Sequence, residues 1–325
     1  MPPEMEYTTL GDTGLEVSRL CLGCMNFGSW GVEDHEASIE VIHEAIDAGI
    51  NFLDTANVYS SGESEEIVGK AIEGRRDELV IATKVYGEMD ERPNGQGLSR
   101  KHVLEQAEKS LDRLGTDYVD LYQIHRWDEN TPIEETLRAL DHLVDEGTVR
   151  YVGASTMHSW QFMKALKESD VNNLERFVSM QPEYSLARRH EEQNVLPLCA
   201  DQGIGVIPWS PLAGGFLTGK YERGEPAPEG SRLAERETTP DERYGEGQWE
   251  VLDVVRELAE EKDATPVQIS LAWLLHKDVV TAPIIGPKTV DQLEENLGAL
   301  DIELTGEEMV RLEEPIEPAW AGQGT

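Results

Sequence analysis

What most limits the fold of this chain is an alternation: eight apolar, β-branched runs, each followed by amphipathic helical patterning. The runs are RLCLG (19–23), INFLD (50–54), LVIATK (79–84), VDLYQIH (119–125), VRYVGAS (149–155), FVSMQ (177–181), IGVIPWS (204–210) and VVTAPIIG (279–286). Near-continuous apolar strands need burial on both faces, which a parallel sheet covered by helices provides. Ile133, Leu137, Leu140 and Val144 recur at helical spacing before Gly147, and Val103, Ala107, Leu111 and Leu114 repeat the pattern before Gly115. Further helical patterns cover 35–48, 64–73, 159–168, 190–202, 267–277 and 289–299. The expected fold class is α/β: a (β/α)8 TIM barrel forming a single domain over 1–325. A doubly wound open sheet would want a G-x-G-x-x-G turn after its first strand, and LGCMNFG contains none.

Two segments stand outside the alternation. YTTLGDTGLEVSRL reads as an N-terminal β-hairpin around Gly11–Gly14. Residues 214–248 are rich in Gly, Pro and charge and show no core pattern, a long loop after strand 7. Because it leaves from the strand carrying Trp209 and Ser210, it is expected to act as a cofactor or substrate lid.

Composition narrows function mainly by exclusion. The 64 acidic residues outnumber 28 basic ones, for a formal net charge of −36, which disfavours nucleic acid as a partner. The acids are spread over helix faces, as in HEEQN and QLEEN, a solvated surface suited to solubility and to a high-salt, halophilic setting. No stretch has the length and apolarity of a membrane span, and MPPEMEYTTL lacks the pattern of a secretory signal, so a cytoplasmic location is expected. Three cysteines do not make a disulfide framework, and the lone C-x-x-C of Cys21 and Cys24 has no second pair for a metal.

In a parallel barrel the C-terminal strand ends meet on one rim, where active sites are built. Here those ends are Asp54, Lys84, His125, Ser155, Gln181 and Trp209, with Tyr59 five residues past Asp54. Taken singly, each has a plain reading: an N-cap, a solvated terminus, a rim histidine, a packed ring. Together they suit proton delivery to a carbonyl. A tyrosine has an ordinary pKa of about 10 and needs help as an acid–base at neutral pH. Lys84 is expected to lower it, Asp54 to hold Lys84, and His125 to donate to the substrate oxygen. Such a group makes no hydride, so a cofactor must supply one. A metal site is not expected, since His125 has no partner at ligand spacing and Lys84 would repel a cation beside Asp54. A Schiff-base role for Lys84 is disfavoured because a neighbouring carboxylate raises its pKa.

The runs NFLDTANVYSSGESE, IATKV, YVDLYQIHR, GAST, QPEYSL and WSPLAGGFLTGKY, with IIGPKTVDQLEENLGA near the end, resemble the aldo-keto reductase family over about Leu10 to Leu300. Within it the chain is similar to the branch of potassium-channel β-subunit-like reductases and their prokaryotic relatives. The resemblance implies NADP-dependent, reversible reduction of aldehydes or ketones, with NAD as the other cofactor, and with Asp54, Tyr59, Lys84 and His125 as the catalytic residues. It implies Ser155 and Gln181 on the nicotinamide carboxamide, Trp209 stacked on the nicotinamide ring, and Thr156 among the cofactor-binding positions. Ser210, Pro211, Leu212, Ala213 and Gly214 would line the pyrophosphate, while Gly23, Cys24, Met25 and Asp54 border the cofactor. Lys220 and Arg232 match cofactor-contacting positions in the insert, and Gly286, Lys288, Gln292, Glu295 and Asn296 match the adenosine site. Thr289 and Gln292 form a T-x-x-Q capping box there. Two departures are Thr156, where many relatives have Asn, and Gln292, where many have Arg. Substrate walls are expected from Trp30, Tyr59, His125, Trp127, the loop at 86–98, the lid and the tail PAWAGQGT. A small-molecule carbonyl or alcohol is the implied partner, and no oligomeric state follows from the sequence. The other class of function left standing is a cofactor-binding regulatory or sensor module with little turnover.

Overall fold

The computed structural model describes residues 4–318. β1 (Tyr7–Thr9) and β2 (Glu16–Ser18) form the antiparallel hairpin. The remaining strands are β3 (Cys21–Gly23), β4 (Phe52–Asp54), β5 (Val80–Val85), β6 (Val119–Ile124), β7 (Val149–Ser155), β8 (Phe177–Gln181), β9 (Gly205–Val206) and β10 (Ile284–Ile285). They form one eight-stranded parallel sheet in the order β10-β3-β4-β5-β6-β7-β8-β9. Backbone bonds from Thr281 N to Val206 O (2.8 Å) and from Ile284 N to Pro208 O (2.9 Å) join its two edges, so the sheet closes on itself.

The seventh and eighth strands are shorter than their apolar runs. Pro208 and Pro283 have no N–H to donate, and each interrupts the ladder where the sequence alone suggests continuation. Trp209 therefore lies beyond β9 and pairs with Glu183 through a single bridge. Eight helices cover the barrel: His35–Asp47, Glu63–Ala71, Arg100–Leu114, Ile133–Asp145, Ser159–Asn172, Val195–Gln202, Pro266–Leu275 and Val290–Leu297. Two longer ones, Glu246–Glu261 and Gly306–Glu313, and two short ones in the insert, Arg232–Glu235 and Pro240–Arg243, lie outside the sequence expectation. Trp249, Leu252, Val255 and Ala259 do bury one face of the first, but no strand precedes it to mark it as part of a repeat.

The strands alternate between two cores. Cys21, Phe52, Val80, Ala82, Leu121, Ile207, Ala282 and Ile284 fill the barrel interior, joined from below by Leu10 and Val17 of the hairpin. Leu22, Leu53, Ile81, Tyr122, Ile124, Val152, Ala154 and Met180 point out, into the layer under the helices. The parity that sends Ala82 and Leu121 inward also sends Lys84 and Gln123 inward, nearer the C-terminal rim. The insert after β9 is more ordered than its composition suggests. Phe216, Tyr221, Tyr244 and Trp249 are buried, with the Phe216 and Tyr244 rings stacked at 3.9 Å. Among the described residues no helix is long and apolar enough to cross a membrane.

Candidate active site

Asp54 ends β4, and Tyr59 opens the short turn Tyr59–Gly62, in which Ser60 and Ser61 both have positive φ (47° and 58°). Lys84 rises from β5 with its side chain wholly buried. Its ammonium donates to Asp54 Oδ2 at 2.5 Å, to Thr55 O at 2.8 Å and to the Tyr59 hydroxyl at 3.0 Å. Those three bonds use all three ammonium protons. The amine also lies 4.7 Å from the centre of the Tyr59 ring. His125 follows β6, its N–H extending the ladder to Val85 O (3.0 Å), and its ring meets the Tyr59 ring edge-on at 5.6 Å.

The electrostatics sort these groups. Burial opposes the Lys84 charge, but Asp54 and Tyr59 outweigh it and hold the ammonium pKa above the ordinary lysine value. That is the wrong direction for a nucleophilic amine. Burial, and then the Lys84 and Arg126 charges, push His125 down to about 3, so its imidazole is neutral and donates from one nitrogen only. Burial pushes the Tyr59 phenol up, and Lys84 opposes that rise without cancelling it. Lys84 thus acts in the expected direction, but removing the hydroxyl from water outweighs it. The consequence is a phenol that keeps its proton at neutral pH beside a cation that favours the phenolate as it forms.

A second ring of bonds lies beneath. Gln123 Nε2 and Gln181 Nε2 each donate to Asp54 Oδ1 at 2.9 Å, and Gln181 Nε2 also donates to Gln123 Oε1 at 3.3 Å. Ser155 Oγ donates to Gln181 O at 2.8 Å and lies 3.0 Å from Thr156 Oγ1. Gln123 was absent from the sequence expectation. Its signal was the period of two running from Leu121 to His125 in VDLYQIH, which places it inward.

Ser210, Ala213, Gly214 and Gly215 all have positive φ (54°, 49°, 68° and 91°), a run of left-handed backbone of the kind that makes anion-binding concavities. A Cβ on Gly215 would lie 2.9 Å from Lys220 Nζ, and one on Gly214 would lie 4.0 Å from Arg232 Cδ. Burial and then the charge of Lys288 pull the Lys220 pKa down, which places those two cations in each other's field. In a chain this acidic, mutually repelling cations around a glycine turn fit a phosphate-bearing group. Next to them, Thr289 caps helix Val290–Leu297 through the Gln292 N–H, but Gln292 Oε1 accepts from the Lys288 N–H at 2.8 Å. The reciprocal half of the expected box thus falls one residue early. Asn26 ties Gly286 O to the loop after β3 (3.0 Å). Cys24 and Cys21 are buried thiols pushed above their ordinary pKa by burial.

The substrate-wall residues divide. The Trp30 ring, itself 55% exposed, lies 6.0 Å from the Tyr59 ring. Trp127 packs instead on Trp160 at 6.2 Å, beside a cavity of about 540 Å³ that Thr156, His158, Trp160 and Trp209 help to line. Of the tail PAWAGQGT, residues 319–325 lie outside the described residues.

Against known proteins, the model of the Aldo/keto reductase family matches residues 19–317. The versiconal hemiacetal acetate reductase of Aspergillus parasiticus is 40% identical, covering 97% of this chain and 98% of its own. The uncharacterized oxidoreductase YrpG of Bacillus subtilis is 41% identical over 98% of both chains. A Schizosaccharomyces pombe protein, provisionally named a voltage-gated potassium channel subunit beta, is 39% identical over 96% of this chain and 94% of its own. Barrel, motif order and end-to-end similarity agree: the chain belongs to the aldo/keto reductase family.

Proposed function

We propose that this protein is an NADPH-dependent carbonyl reductase that interconverts aldehydes or ketones and alcohols, with Tyr59 as the general acid. The observation that carries this reading is the Lys84 ammonium bonded at once to Asp54, Thr55 O and the Tyr59 hydroxyl. When bound, the reduced nicotinamide supplies the hydride. Ser155, Thr156, Gln181 and Trp209 would hold its nicotinamide half, and Lys220, Arg232 and Lys288 its phosphates, with NADH accepted more weakly. The names of the fungal reductase and the Bacillus oxidoreductase support the reaction class. A cytoplasmic setting accords with three buried, unpaired cysteines.

The chain's own groups divide the work. Tyr59 holds a proton that burial keeps in place at neutral pH and gives it to the carbonyl oxygen as negative charge builds there. Lys84 then faces a forming phenolate, an attraction strengthened in a water-poor site. Asp54 holds the lysine and balances its charge. Neutral His125 donates a hydrogen bond to the same substrate oxygen and so orients the carbonyl.

The test is NADPH consumption with a panel of aldehydes and ketones, using wild type and Tyr59→Phe. We expect the variant to lose turnover by about 10²–10⁴-fold, the usual worth of a general acid, with cofactor affinity little changed. Retained turnover would contradict the assignment of Tyr59. Wild-type binding of NADPH without consumption would point to a regulatory module instead.

A further inference from the structure

Asp54 has two oxygens with different tasks. Oδ2 receives Lys84, while Oδ1 receives two amides, from Gln123 and Gln181. A carboxylate accepts only, so both amides must turn an NH₂ toward it. The Gln181 NH₂ is then consumed, one proton on Asp54 and the other on Gln123 Oε1. What Gln181 has left for a ligand is its carbonyl, an acceptor. Room for the Gln123 stem comes from Gly153: a Cβ there would lie 3.0 Å from Gln123 Cγ and 2.4 Å from Ser179 Oγ. All three ring members are buried.

We propose that Gln123 is a positioning residue: its amide closes a ring through Asp54 and Gln181, so that one interaction sets both the anchor of Lys84 and the acceptor offered to a nicotinamide carboxamide. This deepens the reductase reading and rests on it. Without Gln123, Asp54 Oδ1 loses a donor and the Gln181 amide loses the acceptor that holds its second proton.

Two variants of the full chain test it. Gln123→Met keeps length and removes both bonds; kcat should fall about tenfold at every pH with KM for the carbonyl little changed, while KM for NADPH rises as the Gln181 amide is freed. Gln123→Glu carries a switch. Protonated, the new carboxyl donates to Asp54 as the amide does. Ionised, it faces a like charge in a buried site, so its folded pKa lies above the unfolded value. Its contribution to stability is therefore present at low pH and lost as pH rises through that folded pKa. The other titrating groups nearby are Lys84, Tyr59, His125 and the Cys21 and Cys24 thiols, while β7 and β8 face it with Gly153, Ser179 and Gln181, which do not titrate. All are shared with wild type, so the Tm difference between variant and wild type isolates the new carboxyl.

Without cofactor, that difference should be near zero at pH 5 and reach about 5 °C by pH 8. The variant's kcat should fall over the same interval. A pH-independent Tm difference, or wild-type kcat in Gln123→Met, overturns the proposal. Should Gln123→Met fail to fold, the Gln123→Glu titration decides alone. A wild-type protein that reduces no carbonyl while the Tm gap still opens sinks the reductase reading and leaves the ring standing.

Discussion

Arg113 reaches from helix Arg100–Leu114 to the fully buried Glu65 on the neighbouring helix Glu63–Ala71, at 2.7 Å. The Arg113 Cδ lies 2.8 Å from where a Cβ on Gly62 would sit, at the end of the turn that Tyr59 opens. Glu65 also accepts from Thr83 on β5, the residue before Lys84. The pair thus ties the Tyr59 turn and the Lys84 strand to the helical layer.

Arg113→Met should leave a carboxylate buried without its partner, at a cost of about 3–5 kcal/mol in chemical denaturation. Adding Glu65→Leu should recover most of it, because the uncompensated charge is gone. A single variant within about 1 kcal/mol of wild type would show the pair to be a spectator.

Lys288 sits where the sequence resemblance expects the adenosine end of the cofactor. Lys288→Ala should weaken NADPH by about tenfold, the scale of one charge-assisted bond, and NADH by much less. Equal losses, measured by fluorescence titration, would remove the 2′-phosphate from the reading.

Thr156 holds φ at +49°, a left-handed conformation that a β-branched residue adopts at a cost. Asn tolerates that region better. Thr156→Asn should therefore stabilise the fold by about 1 kcal/mol, read as a rise of a few degrees in Tm. A lower Tm would mean that the Thr156 hydroxyl, 3.0 Å from Ser155 Oγ, matters more than the strain.

The net charge of −36 predicts a salt response. Raising KCl from 0.1 M to about 1 M shortens the screening length from about 10 Å to about 3 Å and should raise Tm, because self-repulsion among surface carboxylates is the interaction being removed. A flat response in KCl would separate this acidic surface from any high-salt adaptation.

Much of the architecture is legible in the sequence. Eight β-branched runs with period-two parity became eight parallel strands, and Gly11–Gly14 became a hairpin turn. Two strand boundaries differ from their apolar runs, after Val206 and before Ile284, because run length alone does not weigh a missing proline N–H. The helix Glu246–Glu261 followed an irregular insert and so had no repeat to announce it. The aromatic cluster of Phe216, Tyr221, Tyr244 and Trp249 was invisible for a related reason: its members share no fixed spacing.

By itself, the sequence determined which side chains point inward near the rim, since strand parity is local and survives any fold that buries both faces. Tertiary structure alone decided their partners. Asp54 meets residues 69 and 127 positions away because of strand register around a closed barrel, which local pattern does not encode. It also decided the balance at Tyr59, where burial outweighs Lys84, since desolvation depends on everything packed around the hydroxyl and not on any one neighbour.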